Sequence, residues 1–358
     1  MTSEEKKTID ELIRQNYSFA IYRIPGEEKA HFCMQTTGEP EIIQDIKALN
    51  DRKGFIIAPF RINKAHPILI IKKEKEQIPS WQEIKKKKEQ NTTAYCKKKE
   101  DRKEYSILFN YFIDALQKQE YEKLVLSRYS CIPKNKTFSS AEAFTVACQR
   151  YPYSYVYLYH TPLSGTWLGS TPEILLSGEK EQWHTVALAG TQLLQENKIP
   201  EIWSEKDQEE QAMVSSYILN QLKNIQIEPT TQGPYPVRAG KLSHLKTDFH
   251  FALPKGFHAG SLLNLLHPTP AVCGLPKEKA LSFILENENY DREYYSGFLG
   301  WLDQESRSDL YVNLRCMKIE ENKLTLYAGS GLLASSKLEE EWQEIENKLQ
   351  TMQALING

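Results

Sequence analysis

The chain has 358 residues, 40% hydrophobic and 26% charged, with a net charge of −2. This suits a globular protein with one large core or two smaller ones, and it leaves no global basic field to gather nucleic acid. The first residues, MTSEEKKTIDELIRQ, have no apolar leader core, no run of about 18 apolar residues occurs, and the six cysteines (Cys33, Cys96, Cys131, Cys148, Cys273, Cys316) form no CxxC or close pair, so a membrane span, a zinc ribbon and a disulfide framework are disfavoured and a reducing, cytoplasmic setting is expected.

Residues 3–15 read as a short helix with Ile9, Leu12 and Ile13 on one face. SFAIYRI, AHFCMQT, GFIIAPF and PILIIKK read as strands. Lys72 to Lys103, with KKEKE, KKKKE and KKKEDRK, is the most biased stretch. Acids interleave with its lysines, and only Trp81 and Tyr95 offer a stacking surface. A solvated helix or surface loop is therefore favoured over an RNA-binding or membrane-surface patch. Tyr105, Leu108, Phe109, Phe112, Ile113 and Leu116 then recur at helical spacing. The strand KLVLSRYSCI follows, and Ser139 with Glu142 predicts a capping box for the helix AEAFTVACQ.

YSYVYLYH, GTWLGS, EILLS and WHTVALAGT read as four consecutive strands. A long helix starts near Ser204 with Asp207 at its third position. A strand near 241–247 and a helix near 258–266 lead into LHPTPAVCGLP, Leu266 to Pro276. Three prolines and one glycine in eleven residues mark a constrained loop, expected to be held extended by its X-Pro bonds. The helix KEKALSFILENEN, the strands YSGFLGWLD, LYVNLRCMKI and KLTLYAGSG, and a helix from about Lys337 to Leu355 complete the chain. Strands come in antiparallel-looking runs and helices do not alternate with them, which predicts an α+β fold. Residues 1–103, the N-terminal strands and lysine-rich stretch, are expected to share one fold with 104–358.

Several charged residues stand where charge is costly. Glu210 lies one turn before Met213 and Val214, at the head of an apolar stripe continuing through Tyr217, Ile218 and Leu222. On the last helix Glu341, Glu344 and Lys348 share a face beside the stripe Leu338, Trp342, Ile345, Leu349, Met352. Such glutamates answer the helix dipole or an ion pair, or they converge on a hard cation such as Mg²⁺. Lys123 opens the apolar strand KLVLSR, where it either snorkels at the strand end or, if desolvated, is a base. Glu173 sits at a turn before EILL, and turn acids are mostly solvated. Gly190 and Thr191 in ALAGT let backbone approach a ligand. Arg315 is read inside the strand VNLRCMKI, costly there without an anion.

Ten blocks occur together and in order: KLVLSR, GSTPE, ALAGT, EKDQEEQ, SHL, LHPTPAVCGLP, ENYDREYYSGFLGW, VNLR, YAGSG and EEEWQEIENK. Over about 104–356 the chain resembles the chorismate-utilising enzymes. The first hundred or so residues match weakly apart from GFIIAPF. The resemblance implies a single large domain of antiparallel sheets stacked around a buried site with helices outside, and chorismate as the substrate. The blocks look most like the isochorismate synthase branch, which implies a Mg²⁺-dependent isomerase serving menaquinone or catechol siderophore formation.

On that likeness Glu210 and Glu344, with Glu341 nearby, hold Mg²⁺ on the ring carboxylate. Arg315 and Tyr295 hold the enolpyruvyl carboxylate. Gly190, Thr191 and Gly329 line the pocket, with Tyr327 beside them, and His244, Leu314 and Lys348 surround ring and metal. Ala271 and Val272 wall the pocket. Lys123 is the base that activates water and Glu173 the acid. The family often carries histidine after the metal glutamate, and this chain has Gln211.

Three rivals remain. Salicylate synthases make isochorismate and then eliminate pyruvate. Anthranilate and aminodeoxychorismate synthases resemble one another in a block like MLVDLxRND, where this chain reads QAMVSSYILNQ, so no glutamine amidotransferase partner is implied. A catalytically dead module binding through 72–103 would not be expected to keep Lys123, Glu173, Glu210 and Glu344. Neither a nucleic acid nor a membrane is expected as a partner.

Overall fold

A computed structural model describes residues 1–80 and 101–356. Most of the lysine-rich stretch, with Trp81, Tyr95 and Cys96, therefore lies outside the described residues. In chain order the elements are α1 (Ser3–Arg14), β1 (Ser18–Arg23), β2 (His31–Gln35), β3 (Glu41–Ile43), β4 (Gly54–Ala58), β5 (Ile68–Ile71), α2 (Asp101–Gln117), β6 (Lys123–Pro133), α3 (Ser140–Arg150), β7 (Tyr155–Thr161), β8 (Gly165–Thr171), β9 (Ile174–Glu179) and β10 (Gln182–Leu193). Then come α4 (Glu205–Asn224), β11 (Thr230–Ala239), β12 (Leu242–Ala252), α5 (Ala259–Leu266), β13 (Gly274–Leu275), α6 (Lys277–Asn287), β14 (Phe298–Leu302), β15 (Arg307–Val312), β16 (Cys316–Ile319), β17 (Lys323–Leu332) and α7 (Leu338–Gln353).

The strands form two antiparallel sheets. One is ordered β13-β6-β17-β16-β8-β7-β1-β2, the other β11-β12-β10-β9-β15-β14-β4-β5-β3. The sequence YVYLY explains the layering. In β7 successive side chains point to opposite faces. Tyr155, Tyr157 and Tyr159 enter an aromatic core with Phe55, Ile57 and Leu299 of the other sheet. Val156 and Leu158 point outward into a core shared with residues of α1, α2, α3, α6 and α7. In β4 the same alternation sends Phe55 and Ile57 inward and Ile56 and Ala58 toward α4 and α5. The result is helices, sheet, sheet, helices, with three apolar layers between.

The fold is α+β as expected, with three departures from the strand reading. The four strands read as consecutive are split, β7 and β8 in one sheet, β9 and β10 in the other. LYVNLRCMKI is likewise two strands, β15 and β16, in different sheets. The short β3 and the long β11 were not apparent in the sequence pattern. At α1 a full capping box joins Thr2 and Glu5. At α3 Ser139 accepts from the Glu142 amide as predicted, but the Glu142 carboxylate pairs with Lys6 rather than turning back.

The chain crosses between the sheets at Pro172–Glu173 and again at Asn313–Arg315. The crossings run side by side. Val312 N donates to Glu173 O at 2.9 Å and Ser170 N to Arg315 O at 3.0 Å. Thr171 Oγ1 donates to Val312 O at 2.7 Å. Crossings interrupt the ladders, so the gap between the layers opens there.

Candidate active site

Beside the crossings lies a pocket. Its wall includes Glu173, Gly190, Thr191, Glu210, His244, Ala271, Val272, Tyr295, Leu314, Arg315, Gly329 and Lys348, every one a residue singled out in the sequence. Four of the expected residues are not on the wall. Tyr327 lies behind the wall: its ring stacks on Tyr295 at 5.3 Å and on Trp167 at 5.4 Å. It supports Tyr295 instead of facing the cavity. Lys123 is wholly buried, with Nζ 2.9 Å from Glu210 Oε1. The heavy-atom angles of that contact are not those of a hydrogen bond, so it is an ion pair. Glu344 and Glu341 stand one helical turn and two turns before Lys348 on α7.

Glu173 is not a solvated turn acid. It is buried, and burial pushes its carboxyl up to about 7 despite the partly opposing charge of Lys123. Thr269 Oγ1 donates to Glu173 Oε1 at 3.3 Å. Arg315 is not in a strand. It occupies the second crossing with φ of 45°, and burial lowers its guanidinium to about 10. Arg315 Nη2 donates to His244 Nε2 at 3.0 Å. Arginine has no acceptor, so His244 Nε2 is bare and Nδ1 carries the proton, which it donates to Gly190 O at 2.8 Å. Burial, with Arg315 and Lys348 nearby, holds His244 well below the usual imidazole range. It is a neutral spacer that aims Arg315.

Gly190 has φ of +71°, and a Cβ there would meet Asp207 Cβ at 3.0 Å. Asp207, at the start of α4, accepts from Thr191 N at 3.2 Å and from Gln192 Nε2 at 3.1 Å. The helix carrying Glu210 is thereby tied to the turn carrying Gly190. Gln211 donates to Ala187 O at 3.2 Å and Thr247 Oγ1 at 3.0 Å, so the residue standing where the family often has histidine joins α4 to β10 and β12.

Glu210, Glu341 and Glu344 each face a lysine: Lys123, Lys206 and Lys348 respectively. Lys348 Nζ also donates to Gly329 O at 2.9 Å. Burial would lower Lys206, yet Glu341, Glu344 and Glu210 together push it up, so one ammonium feels all three carboxylates. Glu341 is raised to about 7 by burial and then by Glu344. Its Oε2 is buried without a hydrogen-bond partner. Crowded buried carboxylates with an uncommitted oxygen suit a hard divalent cation, and these residues fit one.

The proline loop is not extended. Val272 N and Cys273 N both donate to Thr269 O at 3.0 Å, closing a tight turn that presents Ala271 and Val272 to the pocket. It is held by a residue the sequence reading missed. Arg292 Nη1 donates to Val272 O at 2.8 Å and Nη2 to Val125 O at 2.9 Å. The same guanidinium takes Glu288 through both carboxylate oxygens. Glu288 in turn accepts from Ser127 N at 2.8 Å. Two wall residues, Val125 and Val272, thus hang on one buried ion pair. A signal existed in ENYDREYYSG, where Glu288 and Arg292 fall four apart, but the spacing is equally that of a surface pair. Ser296 was also missed. It lines the pocket with φ of 62° and a buried, unpartnered Oγ.

A family model described as chorismate binding enzyme matches residues 45–357. Isochorismate synthase EntC of Escherichia coli K12 is 33% identical over 243 residues, 65% of this chain and 62% of that protein. Isochorismate synthase DhbC of Bacillus subtilis is 30% identical over 245 residues, 64% of this chain and 62% of that protein. The matches thus span less than two thirds of either relative's length. Among solved structures, MenF, the menaquinone-specific isochorismate synthase from Escherichia coli, superposes with a TM-score of 0.78 at 21% identity, covering 99% of this chain and 91% of that one. With the pocket at the sheet crossings and a family match over most of its length, the chain belongs to the chorismate-binding enzymes.

Proposed function

We propose that the protein is an isochorismate synthase, a Mg²⁺-dependent isomerase that adds water at C2 of chorismate and expels the C4 hydroxyl. The observation that carries this reading is a buried carboxyl near neutrality, Glu173, in one pocket with the buried Arg315 and with Glu210, the member of the carboxylate cluster that reaches the wall. Both curated relatives described above bear the name isochorismate synthase.

In this mechanism Arg315, aimed by His244, and Tyr295 bind the enolpyruvyl carboxylate. Glu210 and Glu344, with Glu341, would hold Mg²⁺, which supplies positive charge for the ring carboxylate. Gly190, Thr191 and Gly329 offer backbone along the substrate, Leu314 and Lys348 close round the ring, and Ala271 and Val272 exclude stray water. With Glu210 given over to the cation instead of to its ammonium, Lys123 would act as the free amine, taking a proton from water as the water oxygen bonds to C2. The ring double bond shifts, the C4–O bond breaks, and Glu173 delivers its proton to the departing hydroxyl. One water enters and one leaves, so the net change is isomerisation without redox chemistry or a covalent intermediate. The free thiols of the five described cysteines suit a reducing compartment, and a cytoplasmic setting is part of the proposal. No helix among the described residues is long and apolar enough to cross a membrane.

The test is a time course of purified protein with chorismate and Mg²⁺ near neutral pH, following products by NMR and salicylate by fluorescence. A plateau holding both chorismate and isochorismate supports the reading. Steady accumulation of salicylate and pyruvate at the turnover rate would move the protein to the salicylate branch. No consumption of chorismate would overturn the enzymatic reading.

A further inference from the structure

Further along the strands that carry Gly190 and His244, a second polar cluster has no part in this chemistry. β10 and β12 pair antiparallel with His184 directly opposite His250, so both imidazoles rise from one face of the sheet. Asp248 lies two residues before His250, on that face again. The imidazole rings are 4.4 Å apart and within 7° of parallel. His184 Nε2 is 2.6 Å from Asp248 Oδ1. One donor atom from each of the three lies within 4.8 Å of the other two.

We propose that His184, Asp248 and His250 form a peripheral site for a borderline first-row dication, with Zn²⁺ as the best fit. Two imidazoles and one carboxylate favour such ions over Mg²⁺, which demands oxygen donors. Bonds of about 2.0–2.2 Å to these atoms need donors roughly 3.4 Å apart, which side-chain rotation supplies without moving the paired backbone. The support expected around a ligand carboxylate is present. The Tyr235 hydroxyl of β11 donates to Asp248 Oδ2, leaving Oδ1 toward the imidazoles. His250 is exposed and gives the ion a way in.

One group competes with the metal. Lys246 Nζ lies 2.7 Å from Asp248 Oδ1, its side chain 20% exposed and free to swing into solvent. In this site the ammonium holds the place of the dication and must leave for it, so removing it tightens metal binding. The ion would clamp β10 to β12 far from the carboxylate cluster, raising stability without entering the reaction.

The experiment is Zn²⁺ titration of the full chain by calorimetry, with millimolar Mg²⁺ present to occupy hard-cation sites, and Co²⁺ absorption as a second readout. One Zn²⁺ should bind, raise Tm and give imidazole-type Co²⁺ d–d bands. His250→Ala, at an exposed position, should weaken binding at least about tenfold, the least that losing even an outer partner of a ligand costs. His184→Ala should do the same, and Lys246→Met should strengthen binding. Glu341→Ala should leave Zn²⁺ affinity unchanged. Absence of Zn²⁺ binding, binding indifferent to His250→Ala, weakening by Lys246→Met, or loss with Glu341→Ala would each overturn the site.

Discussion

Replacing Gly331 by alanine tests the proposed catalytic geometry with a single methyl group. A Cβ at Gly331 would fall 2.1 Å from Glu210 Oε1, 2.9 Å from Glu210 Cδ and 2.9 Å from Lys123 Cε. Ordinary contact needs about 3.5 Å, so the Glu210 carboxylate must move by more than 1 Å, about 1.4 Å by difference. The three nearest atoms all belong to side chains. The fold therefore has a soft means of relief, and overpacking should cost no more than the low end of about 1–3 kcal/mol. The 2.9 Å approach of Lys123 to Glu210 cannot survive that shift. Misplacing a catalytic group by about 1 Å costs on the order of 10² in rate. Gly331→Ala should then melt within a few degrees of wild type, need more Mg²⁺ for half-maximal rate, and lose about two orders of magnitude in kcat. Differential scanning calorimetry and Mg²⁺-dependent turnover of chorismate measure both sides. Near wild-type turnover with an unchanged metal requirement would show that Glu210 and Lys123 do not act together at this spot. A collapse of Tm with activity falling in proportion would show that the methyl is felt by the fold and not by the site.

Glu173→Gln should abolish turnover, as should Lys123→Ala, each by about 10² to 10⁴, and near wild-type kcat in either variant would refute its role. Because Glu173 rises from 4.5 to about 7 in the fold, the wild type is penalised as pH climbs through that window. Glu173→Gln should therefore gain stability relative to wild type from pH 5 to pH 8, by up to roughly 3 kcal/mol, and parallel denaturation curves at the two pH values would contradict the burial argument. Glu210→Ala or Glu344→Ala should sharply raise the Mg²⁺ requirement, since a hard dication loses an oxygen ligand, and full wild-type activity in excess EDTA would sink the metal assignment. Arg292→Met leaves Glu288 buried without its cation and should cost about 3–5 kcal/mol. Glu288→Gln with Arg292→Met should recover part of it, and two strictly additive losses would remove the ion pair as the device holding Val125 and Val272.

Much of this protein was legible in its sequence because local periodicity carries it. The helix stripe through Val214, Ile218 and Leu222 is buried as spaced, and the Ser204 cap on Asp207 forms where the residues predict it. Twelve of the sixteen residues that the family resemblance implied for the site line one pocket; the local pattern by itself marked only a few of them as charge or glycine in a costly place. Tertiary structure decided the rest. A strand buried on both faces looks the same whichever sheet it joins, so YSYVYLYH, GTWLGS, EILLS and WHTVALAGT gave no sign of dividing between two layers. The same blindness made LYVNLRCMKI one strand, when Arg315 sits at a crossing where the chain leaves one sheet for the other. Tyr327 alternates correctly for the inner face, but Tyr295, distant in sequence, stands between it and the cavity. Glu173 looked like a solvated turn acid, and its near-neutral carboxyl exists only because the crossings and the Thr269 turn bury it together. Side-chain direction within an element is a local property of the backbone. Which layer an element joins, and what then buries its charges, depends on contacts between segments hundreds of residues apart, and those are settled only when the sheets close on one another.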